Sequence, residues 1–411
     1  VSTIETLDIV SIAAGGDGVA RHEGMVVFVP RTAPGDRVRA RVTSKGRFAR
    51  GVLLSVEQPG SGRVAAECPH YTNDHCGGCQ LQHLSLEAQR AAKARIVQDA
   101  FARIGKRTVP LPRVHAAGAP WRYRRKLTLA LRRDASRWRA GMHRAGAPDD
   151  VFALEDCRIT DERIVRGFHE MLAQGAALLP RVPELRASIR RSGDDLLLVV
   201  EGGAQWPAGK AFAHAVSSVA ATWWVDEHGR RRLVHDRRLA RDAGASFVQV
   251  NADVASQLAA HAQARILSHA PSTVIDGYAG SGDVAAALAA RGITVTAVEL
   301  DEDAIAVCAS RLTPPSRAVA ARVEDVLANL LPADVVLLNP PRAGVAPAVT
   351  DAIVGAATAP RAIIYVSCDP ATLARDVARL PGWRVATLDC FDMFPQTAHV
   401  ETVCELVPES A

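Results

Sequence analysis

Thr273-Val-Ile-Asp-Gly-Tyr-Ala-Gly-Ser-Gly282 is the stretch that decides the fold. An apolar run of strand length ends in a glycine-rich turn, and an Ala-rich helical pattern follows from Asp283. Glycines there allow a tight turn and let a ligand approach the backbone, at the carboxyl end of a strand where open α/β sheets bind ligands. The segment is neither the dinucleotide fingerprint G-x-G-x-x-G nor a P-loop, because no Gly-Lys-Ser/Thr follows.

Strand-like runs at 273–278, 295–300, 317–323, 334–339, 362–367 and 384–388 alternate with Ala-rich helical segments, and an apolar run over 400–407 closes the pattern. Such alternation predicts an α/β, Rossmann-like, doubly wound and mostly parallel sheet over 246–411. Residues 1–58 differ: short strands with β-branched alternation, punctuated by Gly15-Gly16-Asp17-Gly18 and Ala33-Pro34-Gly35-Asp36, predict an OB-like β-barrel. Pro59-Gly60-Ser61-Gly62 reads as a linker into an α+β central domain, 59–245. Within that domain a helix over 85–104 starts at a Ser85 cap, and Ile96, Val97, Phe101 and Ile104 suit packing on the carboxy-terminal domain.

The 411 residues hold enough apolar side chains for two or three cores. No run approaches the roughly 20 apolar residues of a membrane span, and no secretory pattern is visible, so a cytoplasmic protein, most simply a monomer, is expected. The net charge of +5 is unevenly placed: from Arg113 to Arg144 ten Lys or Arg face one acid, Asp134. Trp121-Arg-Tyr-Arg-Arg-Lys126 interleaves rings and cations in that segment, and Arg47, Phe48 and Arg50 do so on a barrel hairpin. Both patterns suit phosphates and unstacked bases, and so an RNA partner.

Glu299, at the tip of the second strand of the alternating region, can take two ribose hydroxyls, and Asp325 can accept from an adenine amino group. With the glycine turn, this set suits S-adenosylmethionine better than a pyrophosphate-bearing dinucleotide. Asn339-Pro-Pro-Arg-Ala-Gly344 makes a rigid extended loop, and the Asn339 amide can both donate to and accept from a pyrimidine edge. Cys368 follows a buried apolar run and precedes a helix, a placement expected to lower its pKa through the helix dipole. Glu401, at the start of the last run, is a candidate proton acceptor facing the same edge. Cys68, Cys76 and Cys79 lie in one short loop, and Cys157 can supply a fourth thiolate; both zinc and a [4Fe–4S] cluster accept such a set, and the isolated Cys157 favours the cluster over paired zinc knuckles.

Ser-Cys-Asp-Pro-Ala-Thr-Leu-Ala-Arg-Asp376, His-Val-Glu-Thr402 and the cysteine loop together resemble the RNA (uracil-5-)-methyltransferase family, in its iron–sulfur 23S rRNA branch, across essentially the whole chain. The resemblance implies a TRAM domain at 1–58 and C5-methylation of uridine in ribosomal, or alternatively transfer, RNA. It makes Cys368 the nucleophile, Glu401 the base, and Cys68, Cys76, Cys79 and Cys157 the ligands of [4Fe–4S]. Gln249, Tyr278, Asp283, Glu299 and Asn339 take the family's cofactor and active-site positions. This chain departs from the family in having seven residues, not five, between its first two loop cysteines. It also has Asn339 where the family has Asp. Two rival readings are an amino-methyltransferase built on the Asn-Pro-Pro loop, where Arg342 stands in place of a stacking aromatic, and a non-catalytic RNA-binding iron–sulfur sensor, which leaves Cys368 and Glu401 unexplained.

Overall fold

The computed structural model describes residues 2–135, 137–238 and 249–409. Three sheets organise the chain. The largest has eight strands, in the order Arg317–Ala320, Thr294–Glu299, Thr273–Gly277, Val335–Leu338, Ala362–Ser367, Glu401–Pro408, Trp383–Phe391 and Arg113–His115. Every neighbouring pair is parallel except those made by Glu401–Pro408, which runs antiparallel to both its neighbours. The central strands are apolar on both faces because helices cover both. Val336, Leu338, Ile363 and Tyr365 enter one core, while Val335, Leu337, Ala362, Ile364 and Val366 enter the other, as the period of two requires.

Two of the expected strands shift at an end by more than one residue. The run expected over 317–323 stops at Ala320, and Val323 already starts the helix Val323–Leu330. The strand expected over 384–388 extends to Trp383–Phe391. Arg113–His115, three residues with no strand pattern of their own, joins the far edge of the sheet beside Asp389–Phe391. The boundary expected at 245/246 lies outside the described residues.

The central sheet runs in the order Ala147–Ala153, Arg137–Arg144, Lys126–Asp134, Glu184–Ser192, Asp195–Glu201, Val219–Val225 and Arg231–Asp236, with its own core of Leu127, Leu129, Leu131, Ile189 and Leu198. The amino-terminal sheet has six strands, from Ser2–Asp8 to Phe48–Gln58, closed over Leu7, Val27, Val29, Val38, Ala40 and Val42. Gly60, expected in a loose linker, is anchored instead: its N–H donates to Asp36 Oδ1 at 2.8 Å, and Arg63 Nη2 meets Asp36 Oδ2 at 2.5 Å. Asp36 is fully buried, so the turn after the barrel is fixed by a charge-assisted clasp.

The helix Leu86–Arg103 begins where Ser85 Oγ accepts from the Ala88 N–H, and it docks on the large sheet's helix layer through Val97 and Phe101. Its buried Lys93 Nζ donates to Asp392 Oδ1 at 2.6 Å and to the Phe394 carbonyl at 2.9 Å. Both charged side chains are wholly out of solvent, with only Arg90 as a second cation at 3.5 Å. Truncating one partner of such a pair strands the other charge. Lys93→Ala is expected to lower the unfolding free energy by about 3 kcal/mol, whereas Lys93→Met with Asp392→Leu recovers most of it. Denaturant titration of the two variants checks this; equal losses would show that packing, not charge, carries the contact.

Candidate active site

The Thr273–Gly277 strand ends at Tyr278, and the turn runs through Gly280 to Gly282, which precedes the helix Asp283–Ala289 in a left-handed conformation with φ of 77°. A Cβ on Gly282 would fall 2.3 Å from Cys308 Sγ, so only glycine fits. Glu299 closes the turn from the neighbouring strand. One of its oxygens accepts from the Gly280 N–H at 2.9 Å; the other accepts from Leu300 and Asp301 at 2.7 and 2.9 Å. Below it the carboxyl of Asp276 is buried, and burial, aided by the charges of Glu299 and Asp283, pushes it up to about 7. The turn is therefore an open cradle held by one carboxylate and lined by a second.

The other residues expected here are placed unevenly. Tyr278 is half-buried, and its phenol is pushed up to about 12 by burial and by Glu324, Asp376 and Glu299. Asp325 is exposed on the helix Val323–Leu330, and it is the preceding Glu324 whose charge reaches Tyr278. The sequence pattern held no signal to separate those adjacent acids. Asp283 is exposed and paired with Arg311 at 2.5 Å. Asn339 is exposed at the end of its strand, tied back by its N–H to the Gly277 carbonyl at 3.2 Å. Gln249 is half-buried, one residue before Val250, whose carbonyl accepts from the Arg125 N–H.

Cys368 and Glu401 come from neighbouring antiparallel strands. Ser367 is registered against Thr402, and the Thr402 hydroxyl donates to the Ser367 carbonyl at 3.0 Å. The next position along each strand brings Cys368 and Glu401 opposite one another. Glu401 is 6% exposed, and burial raises its carboxyl to about 7 against the pull of Arg342. The expectation of a lowered thiol pKa is overturned. Burial first, and then the Glu401 charge, push Cys368 up, with Arg342 opposing. The helix Pro370–Ala378 gives the thiol little help because Asp369 caps it, accepting from the Ala371 and Thr372 N–H groups at 2.9 and 3.0 Å. Arg342 is the cation that faces both groups, a role its sequence position alone did not reveal.

Asp376, on the helix Pro370–Ala378, is fully buried. Its carboxylate accepts from the Tyr365 hydroxyl at 2.8 Å and from the Val345 N–H at 2.9 Å, and it pairs with Arg375 at 2.8 Å and Arg379 at 3.3 Å. Gly344 passes so close that a Cβ there would lie 2.3 Å from Asp376 Oδ2.

In the cysteine loop, burial raises Cys76 to about 11, and the charges of Cys157 and Cys68 add to that rise; Cys79 is pushed up in the same way, with Cys157, Cys76 and Cys68 all contributing. All four cysteines are free thiols, Cys68 buried and the other three half-buried. His70 is not free to replace one: its Nε2 accepts from the Glu155 N–H at 3.1 Å and its Nδ1 meets Asp74 at 2.8 Å. Arg122, expected to meet phosphate, instead grips Asp156 at 2.7 and 2.8 Å and the Cys157 carbonyl at 3.0 Å, holding the fourth cysteine's loop. Arg132, Arg139 and Arg144 are likewise paired, with Glu184, Asp134 and Asp150. Among the described residues Arg124, Arg125, Lys126, Arg133 and Arg137 of that segment make no ion pair. On the amino-terminal sheet Arg50 is drawn to Asp17 at 3.2 Å. The exposed face of Arg37–Ser44 adds Arg37, Arg39 and Arg41 in alternation, a cationic row that the hairpin reading passed over.

A glycine turn closed by an acid, at the carboxyl edge of a doubly wound sheet, defines an S-adenosylmethionine-dependent methyltransferase. Residues 238–360 match the methyltransferase small domain, residues 315–407 the tRNA (Uracil-5-)-methyltransferase model, and residues 3–54 the TRAM domain. The chain is 34% identical to an uncharacterized RNA methyltransferase of Thermosynechococcus vestitus, with 98% of each chain covered. It is 31% identical to the 23S rRNA (uracil(1939)-C(5))-methyltransferase RlmD of Azoarcus sp., again with 98% of each covered. The chain therefore belongs to the RNA (uracil-5-)-methyltransferase family. Its fold is that of the tRNA (uracil-54, C5)-methyltransferase of Pyrococcus abyssi, crystallised with S-adenosyl-L-homocysteine, at a TM-score of 0.73 and 22% identity over 98% of this chain and 99% of that one. Among the described residues no helix is long and apolar enough to cross a membrane.

The raised carboxyl of Glu401 has a definite pH signature. Folding favours its protonated form, so its contribution to stability is fully present below the unfolded value of 4.5 and is lost as pH rises to about 7. Glu401→Gln keeps the shape without the charge. Its melting temperature is expected to match the wild type at pH 4.5 and to exceed it above pH 7. Parallel melts across that range check the sign; a wild type gaining on the variant as pH rises would mean that the carboxylate has a cationic partner strong enough to reverse it.

Proposed function

We propose that this chain methylates C5 of a uridine in 23S rRNA through a transient bond from Cys368 to uracil C6. The observation that carries the reading is the placement of Cys368 and Glu401 opposite one another at paired strand ends, in the same sheet whose Thr273–Gly277 strand ends in the glycine turn. The names of the RlmD relatives favour ribosomal RNA over transfer RNA. The protein works in the cytoplasm as a monomer.

S-adenosylmethionine would supply an electrophilic methyl group when bound; Glu299 and the Gly280–Gly282 turn would hold it, with Tyr278, Gln249 and Asn339 as the further residues that would contact cofactor or base. The Cys368 thiolate adds to C6, because C5 alone is a poor nucleophile toward a methyl sulfonium. Arg342 favours the thiolate against burial and the Glu401 charge. C5 of the resulting enolate accepts the methyl, Glu401 removes the C5 proton, and the C6–S bond breaks to restore the ring and free the thiolate. A carboxyl at about 7 suits that proton transfer. The target base must leave its stack to meet thiol and cofactor from opposite sides. Asn339 donates to and accepts from the uracil edge without the charge of the family's usual Asp. The unpaired cations of 124–137 and the row Arg37, Arg39 and Arg41 hold the RNA backbone.

Cys68, Cys76, Cys79 and Cys157 would hold a [4Fe–4S] cluster in this reading, and four free thiols, one buried and three half-buried, suit that donor set. Such a cluster cross-links the loop to the Cys157 segment. Protein prepared without oxygen is expected to carry about four irons per chain. Zinc at these cysteines under the same preparation would overturn the cluster.

Glu401→Gln is expected to stall after methyl transfer, leaving a denaturation-resistant protein–RNA adduct labelled from the cofactor. Cys368→Ala is expected to give neither adduct nor 5-methyluridine, while still binding S-adenosylmethionine. Gel mobility and nucleoside mass analysis read both outcomes. Methylation of uridine C5 by Cys368→Ala would remove the covalent route; N-methylated product would favour the amino-methyltransferase, and no product from wild type would favour the sensor.

A further inference from the structure

Three side chains used by none of these steps meet at the edge of the large sheet. His115 ends the strand Arg113–His115, Asp389 lies on the adjacent strand Trp383–Phe391, and His261 projects from the helix Ala252–Leu267. One ligand-capable atom from each lies within 4.8 Å of the other two. His115 Nε2 is 2.8 Å from Asp389 Oδ1, and His261 Nε2 is 3.4 Å from Asp389 Oδ2. All three side chains are less than a quarter exposed, and Phe391 walls the group, stacked on the His115 ring at 4.9 Å and edge-on to His261 at 5.4 Å.

We propose that His115, His261 and Asp389 form a site for a divalent transition cation of the zinc type. A carboxylate bridging two imidazoles is the competing arrangement, and both imidazoles draw on the Asp389 carboxyl. The bridge is lopsided: His115 makes its hydrogen bond at 2.8 Å, whereas the buried His261 Nε2 stands off at 3.4 Å, outside good hydrogen-bond geometry. A buried ring nitrogen without a partner is costly unless a proton acceptor or a Lewis acid meets it. The 3.4 Å separation matches the edge of a tetrahedral site with bonds of about 2.0–2.2 Å, and the 2.8 Å His115–Asp389 hydrogen bond would open by about 0.5 Å to admit the cation. Gln257, one helical turn before His261 on the same face, also has a buried side-chain oxygen with no partner, and it is the candidate fourth ligand. Two neutral imidazoles, one carboxylate and one amide oxygen make a nitrogen–oxygen set suited to Zn²⁺, with no thiolate in it. The cation would pin the three-residue strand, through which the chain enters the large sheet, to the helix and strand that flank it.

The test uses the full chain prepared without oxygen, stripped with a mild chelator and re-supplied with Zn²⁺ alone. The expected result is one additional zinc per chain and a higher melting temperature. X-ray absorption of that zinc should show nitrogen and oxygen at about 2.0–2.1 Å and no sulfur at about 2.3 Å. Asp389→Asn and His261→Gln should each weaken this zinc by about 100-fold or more and abolish the thermal gain, with iron content unchanged. Equal zinc binding by wild type and both variants, a sulfur shell, or no zinc retained by the wild type would overturn the site. Should a variant fail to fold, the wild-type absorption spectrum decides alone.

Discussion

The buried carboxylate of Asp376 is the constraint that ties together the segments around Cys368 and Arg342. It receives the Tyr365 hydroxyl from the strand leading into Cys368 and the Val345 N–H from the loop carrying Asn339 and Arg342. It lies on the helix that starts directly after the thiol. Three backbone segments with no covalent reason to stay in register are thus tied at one point. Two guanidiniums, from Arg375 and Arg379, satisfy the remaining lone pairs, so the charge can stay buried. Burial and Asp376 push the Tyr365 phenol far up, so it remains a donor. Because the clasp is complete, the Arg342 side chain is presented to Cys368 and Glu401 by a loop that has nowhere else to go.

The second organising element is Gln396. Its carbonyl accepts from the Gln80 and Leu81 N–H groups at 3.2 and 3.0 Å, directly after Cys79. Its side chain and N–H exchange two hydrogen bonds with Gln89 of the helix Leu86–Arg103, and Ala398 N–H reaches Gln80 Oε1 at 3.4 Å. Five residues later the chain arrives at Glu401. The cysteine loop and the segment leading into Glu401 are therefore parts of one hydrogen-bonded layer, although more than three hundred residues separate Gln80 from Ala398.

The alternating pattern from Thr273 onward was legible because each central strand is apolar on both faces and each turn is marked by glycine, proline or a capping acid. The pairing of Cys368 with Glu401 could be anticipated from motif resemblance, but its electrostatics could not. A helix N-terminus beside a thiol suggests a lowered pKa until the capping side chain of Asp369 and the burial of the site are seen. The basic segment misled in part for a similar reason: Arg122 and Arg144 read as phosphate ligands, yet acids that lie outside that segment, Asp156 and Asp150, claim them. Local composition carries charge density but not partnership. Glu324 and Asp325 show the same limit at the scale of one residue, since only the helix phase decides which acid faces Tyr278.

Ile12 and Ala33 from the amino-terminal sheet, Leu81 and Leu84 from the cysteine loop, Ala92 and Ile96 from the docking helix, and Ala398 near the base share one small apolar core. The turn at Gly16 presses against Gln80 and Ala398 so closely that a Cβ there would lie 2.5 Å from the Gln80 Cβ. The cationic row of the amino-terminal sheet is therefore built at a fixed offset from the strand ends where Cys368 waits, rather than on a tether. A rigid offset of this kind acts as a gauge. In the proposed reading, an RNA would be selected by the span between the place where its backbone is gripped and the place where a base swings out, so shape would discriminate among uridines that share the same neighbours in sequence.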